Sequence, residues 1–386
     1  MPTHVGPDIS GEENLVFGYN LSDQKNSYLG EPTTNQANTD YARTIQFHNQ
    51  GSYNNAGTIS DAPEKGTDWK KIVITDRGNN FRIAQFPYII QTYGTTKVYS
   101  VEYDFGLTSG YFFYGDGSSG FGVLQDDGKR TTARFTPPSS SDWHEALFLG
   151  HNTPAYGIND TIYYRYYQVE EKSYPTRYTP TSRSSTQGLL DLTGNNTINL
   201  SNVSFDSNSQ MTFDGTNDIV SISSNSVFNT NIFSVESVFK LSTYDNEHRT
   251  IASRNTSVYS HSNGWWMGTL RNGLGNGNND FRMFFWGDSS YVTYNTSNGG
   301  NDGEYHHMVI SSNGFTVFFY VDGQLIYSAS KPSGNLYLSS ENVLIGQSPV
   351  GDNWSGEIPL VKFYNRELSG VEVLNNYNNI KRKYGI

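Results

Sequence analysis

Trp265, Trp266, Arg271, Trp286, Tyr291 and Tyr294 crowd into one stretch of the chain, separated by Asn-rich segments. Indole and phenol rings offer flat apolar faces with polar edges, and the apolar faces of sugar rings stack on them. Arg and Asn side chains beside them hydrogen-bond sugar hydroxyls. The chemistry that such a set supports is non-covalent glycan binding. Adjacent strand residues point to opposite faces, so of Trp265 and Trp266 one is expected in a core and the other exposed. The competing reading places all of these rings in core or inter-subunit packing.

Other chemistries find less to work with. None of the eight histidines stands in a G-x-S-x-G or comparable nucleophile motif. His306 and His307 fall on an expected strand, where their rings diverge and cannot share one metal ion. No Walker A or dinucleotide-binding glycine run is present, and the glycine-rich run from Gly273 to Asp280 reads as a loop.

The chain that must position these residues has 386 of them, enough for two or three domains with a sizeable core. Aromatics make up 15% and charged residues only 16%, with 38 glycines. That balance suits β-rich extracellular or virion proteins with long polar loops. A net charge of −11 argues against nucleic acid or an anionic membrane as the main partner. With no cysteine there is neither disulfide nor thiolate metal site. The opening MPTHVGPDISGEENLVF lacks the basic and apolar regions of a secretory signal, and no apolar run approaches the roughly 20 residues of a membrane span. An extracellular type of composition without an export signal points to a phage structural protein released by lysis.

Short strand-like runs with turn chemistry between them fill the chain and predict an all-β protein of two tandem antiparallel β-sandwiches. Residues 1–34 are polar and irregular and read as an N-terminal arm or anchor. Residues 35–181 form the first sandwich, with strands expected at Lys70 to Thr75, Phe81 to Gln85, Val98 to Phe105, Tyr111 to Tyr114, Arg130 to Thr136, Glu145 to Leu149 and Ile162 to Val169. Tyr174 to Gln187 carries two prolines and reads as a stiffened linker. Residues 182–386 form the second sandwich. Its centre is a hairpin, Phe315 to Val321 and Gln324 to Ala329, joined at Asp322-Gly323, a pair that tolerates the positive φ of a two-residue turn. Phe315, Val317, Phe319 and Val321 line one face and Phe318 and Tyr320 the other. The hairpin therefore reads as inner, with one face in the core and the other under an aromatic-rich concave surface. A capping box, Ser369 to Glu372, opens a short C-terminal helix on which Val371, Leu374, Tyr377 and Ile380 are expected to face the sandwich.

The order of a central strand, YVDG, an Ile345-Gly346 strand and GEIPLVKFYNRELSGVEVLNNYN resembles the end of a concanavalin A-like (laminin G/pentraxin-type) jelly roll. The elements DLTGNN and FDGTNDIVSI resemble the entry into such modules. DTIYYRYYQVEEKSYPTRYTPTSRSS is similar to the last strand and exit of carbohydrate-binding-module-like jelly rolls of phage fibre and virion proteins. In those a strand ending in Gln-x-Glu, here Gln168 and Glu170, precedes a Pro/Thr-rich exit. The first resemblance implies two packed sheets with the ligand on one face or rim. It also implies Ca2+ held by loop oxygens, with Asp191, Asp214, Asn217 and Asp218 as ligands, although such residues equally make Asx-turns. Some relatives of this fold are glycoside hydrolases, and retaining ones need two carboxylates about 5 Å apart. Glu102 and Asp104 have the alternation, but Gly106 breaks the E-x-D-x-E run and the pair lies in the other domain.

Together these readings predict a non-enzymatic virion-surface protein of head or tail fibre that adheres to host surface polysaccharide. It would attach to other virion proteins through its arm and assemble as a homo-oligomer. The alternative is a capsid decoration protein that stabilises the shell without binding glycan.

Overall fold

The structure, a computed structural model, describes residues 13–36, 46–49, 52–53, 57–75, 82–85, 89–91, 96–104, 111–115, 122–123, 130–135, 143–150, 159–172, 175–205, 210–242, 247–255, 264–269, 281–286, 291–295, 302–332 and 340–384. The fold is all-β with antiparallel sheets and a C-terminal helix, as the turn and alternation pattern predicts. Two compact units emerge. One combines Met1–Glu31 with Ser184–Ile386, and the other is Pro32–Arg183.

The larger unit is the jelly roll, and its strands are numbered here within the unit. They are β1 (Leu15–Asn20), β2 (Ile198–Ser201), β3 (Ser204–Phe205), β4 (Met211–Asp214), β5 (Ile219–Ile222), β6 (Ile232–Leu241), β7 (Arg249–Asn255) and β8 (Gly264–Thr269). They continue with β9 (Phe281–Trp286), β10 (Tyr291–Asn295), β11 (Tyr305–Asn313), β12 (Thr316–Val321), β13 (Gln324–Ser330), β14 (Val343–Ile345) and β15 (Ser355–Tyr364). One sheet runs β3-β4-β15-β6-β11-β12-β13, with β1 also paired to β15; the other runs β2-β5-β14-β7-β8-β9-β10. Their facing sides share one apolar core that includes Phe17, Tyr19, Phe213, Phe233, Phe239, Trp265, Phe285, Phe319, Trp354 and Phe363.

The first 34 residues read as an arm, but Leu15–Asn20 is instead a strand of this sandwich. It pairs along β15, with Gly18 opposite Lys362 and Asn20 opposite Leu360. Burial of Phe17 and Tyr19 drives that, and the Tyr19 hydroxyl donates to the Ile358 carbonyl at 2.9 Å. A short apolar run in polar surroundings is too little periodicity to announce a strand whose partner lies at the far end of the chain.

The hairpin turn is as expected: Asp322 and Gly323 both take positive φ, 48° and 76°. A Cβ at Gly323 would also meet the Tyr377 ring at 2.8 Å. Val317 and Phe319 enter the core. Three details differ. Phe315 precedes the strand and is 84% exposed. The opposite face of β12, with Tyr320 and Phe318, lies under the C-terminal helix rather than an aromatic concave surface, packed with Val309, Leu368 and Val373. That helix, α1 (Gly370–Tyr384), has the capping box: the Glu372 carboxylate accepts from the Ser369 amide at 2.8 Å, and the Glu372 amide donates to the Ser369 hydroxyl. Yet Val371 and Leu374 face solvent while Val373 and Ile380 are buried.

In the smaller unit a five-stranded sheet runs Arg130–Phe135, Lys97–Asp104, Thr161–Glu170, Lys70–Ile74, Gly57–Asp61, and the strands expected from the sequence recur within a residue or two. A second sheet is built around Trp143–Gly150. The Gln-x-Glu strand end has a mechanical role here. Buried Gln168 accepts from the Thr179 amide at 2.8 Å, and buried Glu170 accepts from the Thr176 amide at 3.0 Å. The Pro/Thr-rich exit is thereby tied back to the sheet it leaves. It then forms a two-stranded ribbon, Ser182–Arg183 against Thr33–Thr34, so the chain enters and leaves this unit side by side.

Candidate functional site

The sheet β2-β5-β14-β7-β8-β9-β10 has one face in the core and one turned outward. On β9 the core takes Phe281, Met283 and Phe285. Period-2 alternation leaves Arg282, Phe284 and Trp286 outside. On β8 the core takes Trp265 and Met267, leaving Trp266 between Gly264 and Gly268 on the outer face. Cross-strand register puts Phe284 between Trp266 and Thr293, and Trp286 between Gly264 and Tyr291. The sequence thus builds a cluster of four rings spread over three neighbouring strands, Trp266 on β8, Phe284 and Trp286 along β9, and Tyr291 on β10.

Phe284 is the hub of that cluster. Its ring lies parallel to Trp286 at 4.8 Å, with Trp266 edge-on at 5.9 Å and Tyr291 tilted at 5.9 Å. The Arg282 guanidinium sits 4.0 Å from its centroid, and Arg282 Nε donates to Thr293 Oγ1 at 3.2 Å. Tyr291 is 51% exposed and Phe284, Arg282 and Thr293 are half-buried; Trp266 and Trp286, beside Phe284 on the same face, are buried. Burial lowers the Arg282 guanidinium to about 10, which still leaves it charged near neutrality.

The structure therefore divides the six residues singled out in the sequence. Trp286, Tyr291 and Trp266 share the outer face. Trp265 lies in the core, and Tyr294 packs against it from the inner face, stacked on Tyr327 at 5.0 Å. Arg271 lies outside the described residues. Trp266 does not take the exposed position expected for the partner of a core tryptophan. Its indole N–H donates to Thr250 Oγ1 at 2.8 Å and its ring covers Gly268, where a Cβ would meet it at 2.5 Å. Arg282, Phe284 and Thr293 were missed; the signal was their spacing with Trp286 and Tyr291 on neighbouring strands.

The four proposed Ca2+ ligands do not form one oxygen cage. Asp191 accepts from the amides of Gly18, Asn195 and Asn196 and from the Asn196 side chain, so both carboxylate oxygens are engaged by neutral donors. Gly18 lies opposite Lys362, whereas Asp214 lies opposite Ser355 on the same strand. Seven residues of strand separate them by roughly 23 Å. Asp214 and Asp218 close an Asx-type turn: Asp218 accepts from the Asp214 amide at 2.7 Å, and Asp214 from the Thr216 amide at 2.7 Å. The Asn217 carbonyl accepts from the Asn202 side chain. Among the described residues no group of three or more His, Cys, Asp or Glu is placed to hold a metal ion.

The remaining candidates are structural. Glu102 pairs with Arg165 and Asp104 with Lys65, each at 2.6 Å. His306 and His307 diverge as alternation demands: His306 is clamped between Asp322 and Asp302, and His307 bonds buried Glu236 at 2.8 Å.

Residues 214–374 match the family model of the concanavalin A-like lectin/glucanases superfamily, of laminin G type. This range runs from the end of β4 into α1 and forms a concanavalin A-like jelly-roll domain. Among solved structures the chain is similar to the botulinum neurotoxin serotype D binding domain, with a TM-score of 0.39, 16% identity, and coverage of 51% of this chain and 50% of that one. It is also similar to the botulinum neurotoxin serotype D ligand binding domain in complex with N-acetylneuraminic acid, with a TM-score of 0.40, 16% identity and coverage of 51% and 49%. A third is domain 4 of AbnA, a GH43 extracellular arabinanase from Geobacillus stearothermophilus, in complex with arabinotriose, with a TM-score of 0.38, 15% identity and coverage of 50% and 93%. The chain spans about half the length of the botulinum structures that it matches. No curated protein matches its sequence.

Proposed function

We propose that the jelly-roll unit is a non-enzymatic glycan-binding module whose ligand lies on the outer face of β8, β9 and β10. The observation that carries this is the cluster of Tyr291, Phe284 and Arg282: an exposed ring, a half-buried ring and a hydrogen-bonding cation, flanked by buried Trp266 and Trp286. Stacking on such rings tolerates many sugars, and the polar groups around them select among hydroxyl patterns. The setting we propose is the surface of a bacteriophage particle, in head or tail fibre, attached to other virion proteins. The resemblance of the Gln168-x-Glu170 strand end and its exit to phage fibre modules supports that setting. Many copies, as a homo-oligomer, would turn weak contacts to host surface polysaccharide into stable adhesion.

The test is saturable binding of purified protein to host cells and to their extracted polysaccharide. Tyr291→Ala is expected to weaken it about tenfold or more while leaving the melting temperature within about 2 °C, since an exposed ring contributes little to stability. Binding is expected to persist in a chelator. Wild-type protein that binds neither cells nor polysaccharide would sink the proposal. One feature favours a decoration protein instead: exposed Phe315, Leu325 and Ile232, suited to contact with a neighbouring subunit. Retention on particles lacking the protein, without glycan binding, would select that reading.

A further inference from the structure

We infer that the glycan taken by the outer face is acidic, with a sugar carboxylate docked on the guanidinium of Arg282. The inference rests on the glycan reading of that face. Other partly buried guanidinium groups of the jelly roll are hydrogen-bonded by the fold. Arg254 donates to the carbonyls of Phe228 and Glu341 and to Asn229, and Arg249 donates to the Asn353 carbonyl. Arg366 pairs with Glu372.

Arg282 differs. Its Nε reaches Thr293, its plane lies against Phe284, and among the described residues no carboxylate stands within ion-pair range and no protein acceptor meets Nη1 or Nη2. Leaving a half-buried charge without a counter-ion is costly, and among the described residues no counter-charge offsets that cost at this position. The residue opposite it on β8 is Gly268, covered by the Trp266 ring, which offers the fork no oxygen acceptor.

A carboxylate is the acceptor that fits. Two coplanar oxygens match the paired N–H groups of a guanidinium, and the charge-assisted bonds are about twice as strong as neutral ones. A neutral sugar supplies hydroxyls but no counter-charge. The sugar ring would lie over Phe284 and Tyr291 with its carboxylate at Arg282. The protein's net charge of −11 repels anions at range, so selection for an acidic sugar rests on this local cation.

The experiment compares retention of the full chain on immobilised polygalacturonate, on polysialic acid, and on each polymer after chemical reduction of its carboxyl groups. Wild type is expected to bind at least one native polymer ten times or more as tightly as its reduced form, and which one separates uronate from sialate. Arg282→Gln, confirmed as folded by its thermal transition, is expected to erase that preference while keeping residual binding to the reduced polymer. Arg282→Lys, with charge but no planar fork, is expected to fall between. Tyr291→Ala is expected to weaken native and reduced polymers alike. Equal binding of native and reduced polymers, or a preference that survives Arg282→Gln, would overturn the acidic-sugar inference and leave the glycan-binding face standing. No binding to these polymers or to any neutral glycan would overturn both.

Discussion

Glu236 sits fully buried beneath the C-terminal helix, where one carboxylate organises four elements. It bonds His307 on β11 at 2.8 Å, the Tyr364 hydroxyl on β15 at 3.2 Å and Asn376 on α1 at 3.3 Å, with Lys362 at 3.9 Å. Burial pushes its carboxyl up, but Lys362 and the His307 hydrogen bond outweigh that and hold it at about 2, against an ordinary 4.5. Because the folded value lies below the unfolded one, the stabilisation is complete above about pH 5 and is lost as pH falls toward 2. The free energy of unfolding should fall across that window by on the order of a few kcal/mol, with the melting temperature falling alongside, and Glu236→Gln should flatten the slope while lowering stability at neutral pH. A slope unchanged by the substitution would place the acid sensitivity elsewhere. Asp191 teaches a related lesson. Its residue type suited a cation, but its lone pairs serve backbone amides that hold β1 in place, and sequence shows the acceptor without the donors that claim it. Trp265 and Trp266 were legible as diverging. That the outward ring would be buried was not, because it folds over Gly268 two residues along its own strand and donates to Thr250 on the neighbouring β7.

At the scale of elements, alternation made most strands of both units readable, since a half-buried strand writes its two faces directly into the sequence. The Asp322-Gly323 turn was equally plain. The helix was legible in its start and wrong in its face. Val371, Leu374, Tyr377 and Ile380 advance by threes, and at about 100° per residue Val371 and Ile380 end half a turn apart. The inward set is Val373, Asn376, Tyr377, Ile380 and Tyr384, a spacing that keeps to one side and includes a polar residue answering Glu236. Val373→Ala should therefore cost about 1–3 kcal/mol in denaturant unfolding, whereas Val371→Ala should stay within about 0.5 kcal/mol of wild type. Equal costs would return Val371 to the packed face.

Over the whole molecule, the jelly roll is interrupted in sequence rather than simply second in line. Its first strand precedes Pro32–Arg183, and its other strands follow. Sequence patterns report neighbours a few residues away, so they could not show that Phe17 and Phe363 share a core. A chain ended at residue 354 removes the one strand that pairs with β1 among the described residues. Limited proteolysis of that truncation is expected to cut within Leu15–Asn20, which the full chain protects. The pairing also has a consequence in time. Tyr19 and its acceptor Ile358 are 339 residues apart. At roughly 5–20 residues per second, synthesis leaves β1 waiting roughly 17–70 s for β15 to emerge. Pro32–Arg183 has all its own strands before then and can complete first. The jelly roll closes as a late step, and expression yield should depend more on how long this one apolar strand stays out of company than on the final stability of the sandwich.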